Sequence, residues 1–288
     1  MEVNLEEKRW KEIIKPANNL YTLNLKEIWN YRDLLFILVR RDILAIYKQT
    51  ILGPIWFFLQ PVMTTFIYVM VFSRAAKLST DDLPPSLFYL SGLILWGYFS
   101  ECILRTSSFL KDNTQIFSKV YFPRIIVPLS LIITNLAKFV IQLLLFFGVY
   151  FYFYFFKSNP NIHPNLYCLL LPVLIFLSGI LGLATGMIIS SLTTRYKDLV
   201  HLVSFGVQLL MFTSSVIFPL SSFMNSKYKN LIMLNPMTGI IESFRYGFFG
   251  NGYFSWKLLG YDALCAFILL IIGIIVFNLV ERSFVDTI

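Results

Sequence analysis

The sequence contains no Gly-Lys dipeptide, so it holds no G-x-x-x-x-G-K-[ST] loop that could cradle nucleotide phosphates. It also lacks H-E-x-x-H and G-x-S-x-G, the spacings that set zinc ligands on one helix face or expose a nucleophilic serine. Histidine is limited to His163 and His201, far apart and without a local ligand partner; they read as a loop residue and an interfacial residue. Cys102, Cys168 and Cys265 have no paired spacing and fall in apolar stretches, which argues against a disulfide or metal role. Charge is scarce too, at 14% of residues, against about 25% in soluble domains. Met1–Lys15 mixes Glu, Lys, Arg and Trp without an apolar core, and so does not read as a signal peptide. These absences leave little material for covalent chemistry by the chain itself.

What remains is apolar: hydrophobic residues make up 57% of the 288, above the roughly 45–50% of soluble domains. The expectation is an all-α polytopic membrane protein. A polar leader, 1–24, is broken by Pro16 and Asn18-Asn19 and precedes one membrane domain, 25–288. That domain holds an interface helix over 25–47 and six spans near 51–72, 87–104, 125–156, 166–192, 199–220 and 258–280. With the N-terminus inside, sixteen Lys and Arg fall on the cytoplasmic side and seven outside, a bias that places both termini in the cytoplasm. The net charge of +8 then belongs to cytoplasmic loops facing lipid headgroups, not to nucleic acid binding. Lys138 is left over, inside the third segment. That segment would be about 48 Å long as one helix, so its first turns can project and Lys138 can snorkel to the inner interface; the competing reading is a functional buried charge.

The most informative stretch is Tyr31–Pro61, YRDLLFILVRRDILAIYKQTILGPIWFFLQP. Leu34, Leu35, Leu38, Ile43 and Ile46 alternate with Arg32, Asp33, Arg40, Arg41, Asp42 and Lys48 at a helical period. That is the pattern of a helix lying in a membrane interface with its apolar side toward the acyl chains. After Gly53-Pro54 the chain turns over, and Ile51–Phe72 runs 22 residues without a charge. At about 1.5 Å per residue this spans a core of roughly 30 Å.

This opening closely resembles that of ABC-2 type membrane permeases of polysaccharide exporters, which export O-antigen, capsule or teichoic acid polymers. Two later stretches carry the same likeness. The loop after the second span contains Lys111-Asp112-Asn113-Thr114, where Asn or Thr can cap a helix, followed by FSKVYFPRIIVPLS. From the residues alone it reads equally as a docking surface or a connection. The resemblance implies a coupling helix at Asn113, Thr114, Gln115, Ile116, Phe117, Ser118 and Lys119, running to Val120 and seated on an ATPase subunit. The second stretch is LNPMTGIIESFRYGFFG, Leu234–Gly250. Here Pro236, after Asn235, starts a helical turn, and Glu242 and Arg245 stand three apart on one face and can pair. An ordinary exterior amphipathic helix is one reading; the resemblance implies short re-entrant helices that close the outer end of a channel, at Asn235, Pro236, Glu242 and Arg245.

Aromatic residues are plentiful, with 29 Phe, 16 Tyr and 5 Trp, and runs such as Tyr150–Phe156 suit the bilayer interface. Two stripes differ. Trp56, Gln60, Thr64 and Tyr68 recur every four residues, as do His201, Phe205, Gln208, Phe212 and Ser215 at near-helical spacing. Rings that stack on sugar CH faces, beside amides and hydroxyls that meet sugar hydroxyls, suit the wall of a polysaccharide channel. Packing between polar helix faces is the alternative.

The resemblance implies a homodimeric permease in the bacterial cytoplasmic membrane. It would pair with two ATP-binding subunits that hold the ATP and magnesium, and would bind no cofactor or metal of its own. Its substrate would be a lipid-linked polysaccharide, O-antigen first, with capsule and teichoic acid as alternatives. The rivals are an integral membrane glycosyl or lipid transferase and an ion-coupled transporter. The first needs acids and bases gathered at one wet site, yet the intramembrane acids Glu101 and Asp262 sit on separate segments with no basic cluster evident beside them. The second needs charges at the midplane, and no convincing set is present.

Overall fold

The computed structural model describes residues 25–48, 53–117, 122–157, 161–193 and 198–285, and every regular element among them is helical. The leader, 1–24, and the expected coupling residues Ser118 and Lys119 lie outside these ranges. In chain order come α1 (Leu25–Asn30), α2 (Arg32–Lys48), α3 (Trp56–Tyr68, continuing to Ala75 in a wider π-type coil), α4 (Pro85–Asp112), α5 (Thr114–Phe117), α6 (Ile126–Phe151, again widening to Phe156), α7 (Leu171–Thr193, entered through a 3-10 stretch from Leu166), α8 (Leu199–Phe212), α9 (Lys229–Leu234), α10 (Pro236–Phe249) and α11 (Trp256–Val285). Among the described residues five helices are long and apolar enough to cross a membrane: Trp56–Ala75, Pro85–Asp112, Ile126–Phe156, Leu166–Thr193 and Trp256–Val280. The shorter apolar helix α8 is the sixth segment.

The centre of the bundle is α4, with 72% of its most apolar stretch buried against 11% to 39% for the other four long helices. It packs most closely on α7, and the sequence explains why. Gly179, Gly182 and Gly186 line the α7 face that meets Tyr98, Cys102 and Thr106 of α4. A Cβ on Gly182 would stand 2.5 Å from the Cβ of Cys102, and one on Gly186 the same distance from the Cβ of Thr106. In a membrane, helices associate through such close backbone approach, because lipid is as apolar as leucine and provides no hydrophobic drive.

Two ends of the bundle are distinct. At one, Leu38 of α2 packs in a cluster with Phe109 and Leu110 of α4, Ile126 of α6, Met187 of α7 and Phe277 of α11. The first described helices and the end of α11 therefore share one side of the molecule. The other end is built by residues 76–84, 161–166 and 213–255.

Three local expectations are corrected. The apolar side of α2 is divided. Leu38 is 5% exposed and turned into the protein with Leu34 and Leu35 beside it, while Phe36, Ile37 and Leu44 face outward. Leu38 of the expected apolar set thus meets protein; the side chain of Ile46 lies outside the described residues. The second span is longer than 87–104, because α4 runs on to Asp112 with Thr106, Ser107, Phe109 and Leu110 buried. The fifth expected segment, 199–220, is helical to Phe212, about 21 Å at 1.5 Å per residue. Beyond it, the Ser215 and Val216 carbonyls accept from Arg245 of α10.

Candidate functional site

The end formed by 213–255 is organised by α10. Its start is built as the sequence suggests: the Asn235 side chain accepts from the Met237 N–H at 3.1 Å, and Pro236 occupies the first turn, where no N–H is needed. It stops at Gly250, whose φ of +75° is the left-handed conformation that glycine adopts without penalty. Met237–Arg245 and Gly247–Phe249 are all buried, so α10 is enclosed in protein and is not an exterior amphipathic helix.

Glu242 and Arg245 do pair, at 3.4 Å, with both side chains at most 2% exposed. Their other partners explain how such charge is tolerated. Arg245 donates from Nη1 to the Ser215 carbonyl at 2.6 Å, from Nη2 to Phe88 and Val216 carbonyls at 3.1 and 3.2 Å, and from Nε to Ser91 Oγ at 3.3 Å. Its guanidinium carbon lies 3.6 Å from the Phe88 ring centroid. Glu242 accepts the backbone N–H groups of Leu220 and Tyr253, each at 3.2 Å. Asn235 adds a tie to the end of α8 through the Leu210 carbonyl at 3.1 Å. One ion pair thus joins α4, the 213–220 turn, α10 and the approach to α11. Burial pushes the Glu242 carboxyl upward, with Arg245 and the two N–H groups pulling it back; burial lowers Arg245, with the Glu242 carboxylate opposing that shift. A buried pair of this kind contributes little net stability but is costly to break. Its effect here is to fix where four segments meet.

The aromatic stripes fall on different surroundings. Trp56 is 46% exposed, and Phe205 and Phe212 are 60% and 50% exposed; His201 and Gln208 share the open face of α8. Tyr68 packs its ring against Phe72 and Tyr89 and donates its hydroxyl to Met211 Sδ at 3.6 Å. Thr64 donates to the Gln60 carbonyl one turn back. Ser215 leaves its stripe: the helix has ended, the side chain is fully buried, and its carbonyl serves Arg245.

At the α2 end, the expected helix caps act in the opposite direction. Asn113 donates its amide to the Phe109 carbonyl at 2.9 Å and Thr114 its hydroxyl to Leu110 and Lys111 carbonyls. Both side chains therefore close α4 instead of opening α5. The four residues of α5 are held as one turn, with Ile116 and Phe117 N–H groups on the Asn113 carbonyl. Gln115 is exposed there, while Ile116 and Phe117 are half-buried against the Leu38 cluster. On α2, Arg32 stands 3.9 Å from Asp33, and Arg41 pairs with Asp42 at 2.8 Å; Arg40 is exposed.

Glu101 has two basic neighbours, one on its own helix and one on α6. Its Oε2 lies 3.0 Å from Arg105 Nε and 3.6 Å from Lys138 Nζ. Lys138 is therefore in an ion cluster between α4 and α6 and is not a lone snorkelling residue. The Glu101–Arg105 spacing of four was a readable signal; the approach of Lys138 from another helix was not. Asp262, on α11, is fully buried, and neither carboxylate oxygen finds a hydrogen-bond partner among the described residues. No group of three or more potential metal ligands occurs among the described residues.

The model of the ABC-2 type transporter family matches residues 33–249. The chain is 30% identical over 224 residues to the O-antigen export system permease protein RfbA of Myxococcus xanthus, covering 77% of this chain and 82% of that one. It is 25% identical over 255 residues to an RfbA permease of Klebsiella pneumoniae, covering 88% and 94%. The polysialic acid transport protein KpsM of Escherichia coli is 24% identical over 245 residues, covering 84% and 92%.

Proposed function

The chain belongs to the ABC-2 type transporter family, and from that premise we propose that it is the membrane permease of an ATP-driven exporter of a lipid-linked polysaccharide, with O-antigen as the first candidate. The observation that carries this reading is the family match over 33–249 together with relatives named as O-antigen and polysialic acid export proteins. Capsule and teichoic acid polymers are the alternatives within the same class.

The energy source is a pair of partner ATPases that hold ATP and magnesium, since the chain has no phosphate-cradling loop of its own. The partner docks at the α4–α5 corner, Asn113–Phe117 and on through Ser118 and Lys119. The lysine and arginine bias supports a cytoplasmic location for that corner and for both termini, in a bacterial inner membrane. Two copies pair, because a single six-segment chain is too small to enclose a polymer path. The exposed rings of Trp56, Phe205 and Phe212 suit the wall of that path, with Gln60, Thr64, Tyr68 and Gln208 beside them, and α10 with its Glu242–Arg245 pair suits the outer closure. A transferase is disfavoured because the Glu101 carboxylate is already shared by two cations.

The test is co-purification and turnover. The full chain alone hydrolyses no ATP and turns over no lipid-linked sugar. Co-expressed with the ATP-binding protein that docks on it, it forms a complex that hydrolyses ATP. Replacing Ile116 and Phe117 by Asp puts charge into the docking surface and uncouples or dissociates the complex. Sugar transfer by the chain alone would overturn the permease reading.

A further inference from the structure

The Glu101 cluster lines two cavities that share this residue. A cleft of about 670 Å³ at the α2 end is lined by Arg41, Asp42, Glu101, Arg105 and Asp112 among others. A deeper cavity of about 150 Å³ between α3, α4 and α6 is lined by Gln60, Glu101, Asn135, Lys138 and Gln142 among others. Glu101 belongs to both walls, with Arg105 beside it in the outer cleft and Lys138 and Asn135 beside it in the inner cavity. We propose that this junction binds the phosphoryl head of an anionic lipid whose phosphate carries a hydroxylated substituent.

The argument begins with charge. Arg105 and Lys138 share one carboxylate, which leaves one positive charge in excess within the helices Pro85–Asp112 and Ile126–Phe156. Lys138, 17% exposed at its side chain, is the most enclosed of the three, and an anion beside it offsets the cost of its burial. In the outer cleft Arg41 and Asp42 neutralise each other at 2.8 Å, and Asp112 is exposed to solvent and accepts from Ser108 at 2.6 Å. The excess is therefore confined to the Glu101–Arg105–Lys138 group, with Asp112 at the solvent end of the cleft balancing the two linings overall.

Donors and acceptors point the same way. Arg105 commits Nε to Glu101, which leaves the two terminal nitrogens of a planar fork suited to phosphate oxygens. Lys138 is 17% exposed at its side chain and makes one loose contact with Glu101. Opposite them, Asn135 is 2% exposed. Its amide nitrogen donates to Cys102 Sγ at 3.8 Å, and its Oδ1 has no partner among the described residues. A buried acceptor without a donor is destabilising, and a ligand hydroxyl satisfies it. The inner cavity, equal to about five waters at roughly 30 Å³ each, has room for a short hydroxylated substituent. Two sources supply this chemistry, a bilayer phospholipid or the lipid carrier of the substrate; the second rests on the export reading, the first does not.

The test uses the full chain purified in detergent and read by its melting temperature as lipid is titrated. Phosphatidylglycerol, phosphatidylmethanol, a short polyprenyl monophosphate and the uncharged polyprenol are the probes. The phosphate-bearing lipids raise the melting temperature and polyprenol does not. Arg105→Gln and Lys138→Gln each weaken the apparent affinity about tenfold or more, the size of a lost charged hydrogen bond. Glu101→Gln removes the internal anion and tightens phosphate binding, a gain that poor folding cannot imitate. Asn135→Leu abolishes the preference for phosphatidylglycerol over phosphatidylmethanol. A larger response to polyprenyl phosphate than to phosphatidylmethanol, neither of which carries the hydroxylated substituent, assigns the site to the substrate carrier, and the reverse assigns it to bilayer lipid. No response to any phosphate lipid, or responses unchanged in Arg105→Gln and Lys138→Gln, overturns the proposal. Because binding is read without ATPase or export, this result stands or falls apart from the permease reading.

Discussion

Replacing Arg245 by Met is the most demanding test of how the 213–255 end is held. Methionine keeps most of the side-chain length but removes every donor. Glu242, at most 1% exposed at its side chain, is then a buried carboxylate without its cation, and breaking a buried pair in this way costs about 3–5 kcal/mol. The Ser215 and Val216 carbonyls lie outside any helix and lose the donor that reaches them at 2.6 and 3.2 Å, at about 1 kcal/mol or more each. The Phe88 carbonyl is less affected, because Ser91 Oγ also donates to it at 2.8 Å. These terms share one site and are not additive, so the expected loss is about 4–6 kcal/mol. At roughly 2–4 °C per kcal/mol for a chain of this order of size, the melting point falls by about 10–20 °C. Arg245→Lys restores the charge but not the planar fork, and its melting point lies between the two. Adding Glu242→Gln to Arg245→Met removes the stranded charge and recovers part of the loss. The assay is thermal unfolding of the purified full chain followed by intrinsic fluorescence. A melting point for Arg245→Met within about 2 °C of the native chain, less than 1 kcal/mol on the same scale, would refute the view that this side chain ties the segments together.

Other expectations concern close contacts, topology and transport. A Cβ on Gly239 would overlap the Asp262 carboxylate and stand 2.9 Å from Leu258 Cγ, so Gly239→Ala lowers the melting point and Asp262→Ala in the same chain recovers part of it; no change in the first variant removes the argument. Gly182→Val forces α7 away from α4, and overpacking of this kind costs about 1–3 kcal/mol, read as lower melting and lower yield of monodisperse protein. A single cysteine at Gln115, in a chain lacking the three native cysteines, reacts with a membrane-impermeant reagent only after the cells are opened; labelling of intact cells from outside would reverse the topology. Trp56, Phe205 and Phe212 changed together to Ala reduce polymer export while leaving melting and ATPase assembly unchanged. One ring alone changes the rate by up to about tenfold, since ring stacking is worth on the order of 1 kcal/mol. Loss of stability in step with loss of export would make these residues packing groups instead.

Properties carried by one segment are legible in the amino-acid sequence alone. Long charge-free runs and the scarcity of ionic residues point to an all-helical membrane protein, since a backbone in lipid must satisfy its own hydrogen bonds. The start of α10 is readable because Asn-Pro is a local cap, and the Glu242–Arg245 pair because three residues nearly complete a helical turn. The likeness of Tyr31–Pro61 to polysaccharide permeases is readable for a similar reason: it lies in a contiguous string.

Tertiary structure decided whatever depended on a neighbour from elsewhere in the chain. Periodicity marks an apolar face on α2 but does not say whether lipid or protein meets it, and Leu38 went to protein. Apolar length carried the fifth segment to residue 220, whereas the helix ends at Phe212 and the carbonyl of Ser215 beyond it meets Arg245, 30 residues further along the chain. Asn113 and Thr114 are equally able to open a helix or close one, and the long, buried end of α4 took both. Glu101 and Lys138 meet because α4 and α6 pack side by side. A helix encodes its own faces in its spacing, but which face of which helix it will meet is encoded only in the packing of all of them together.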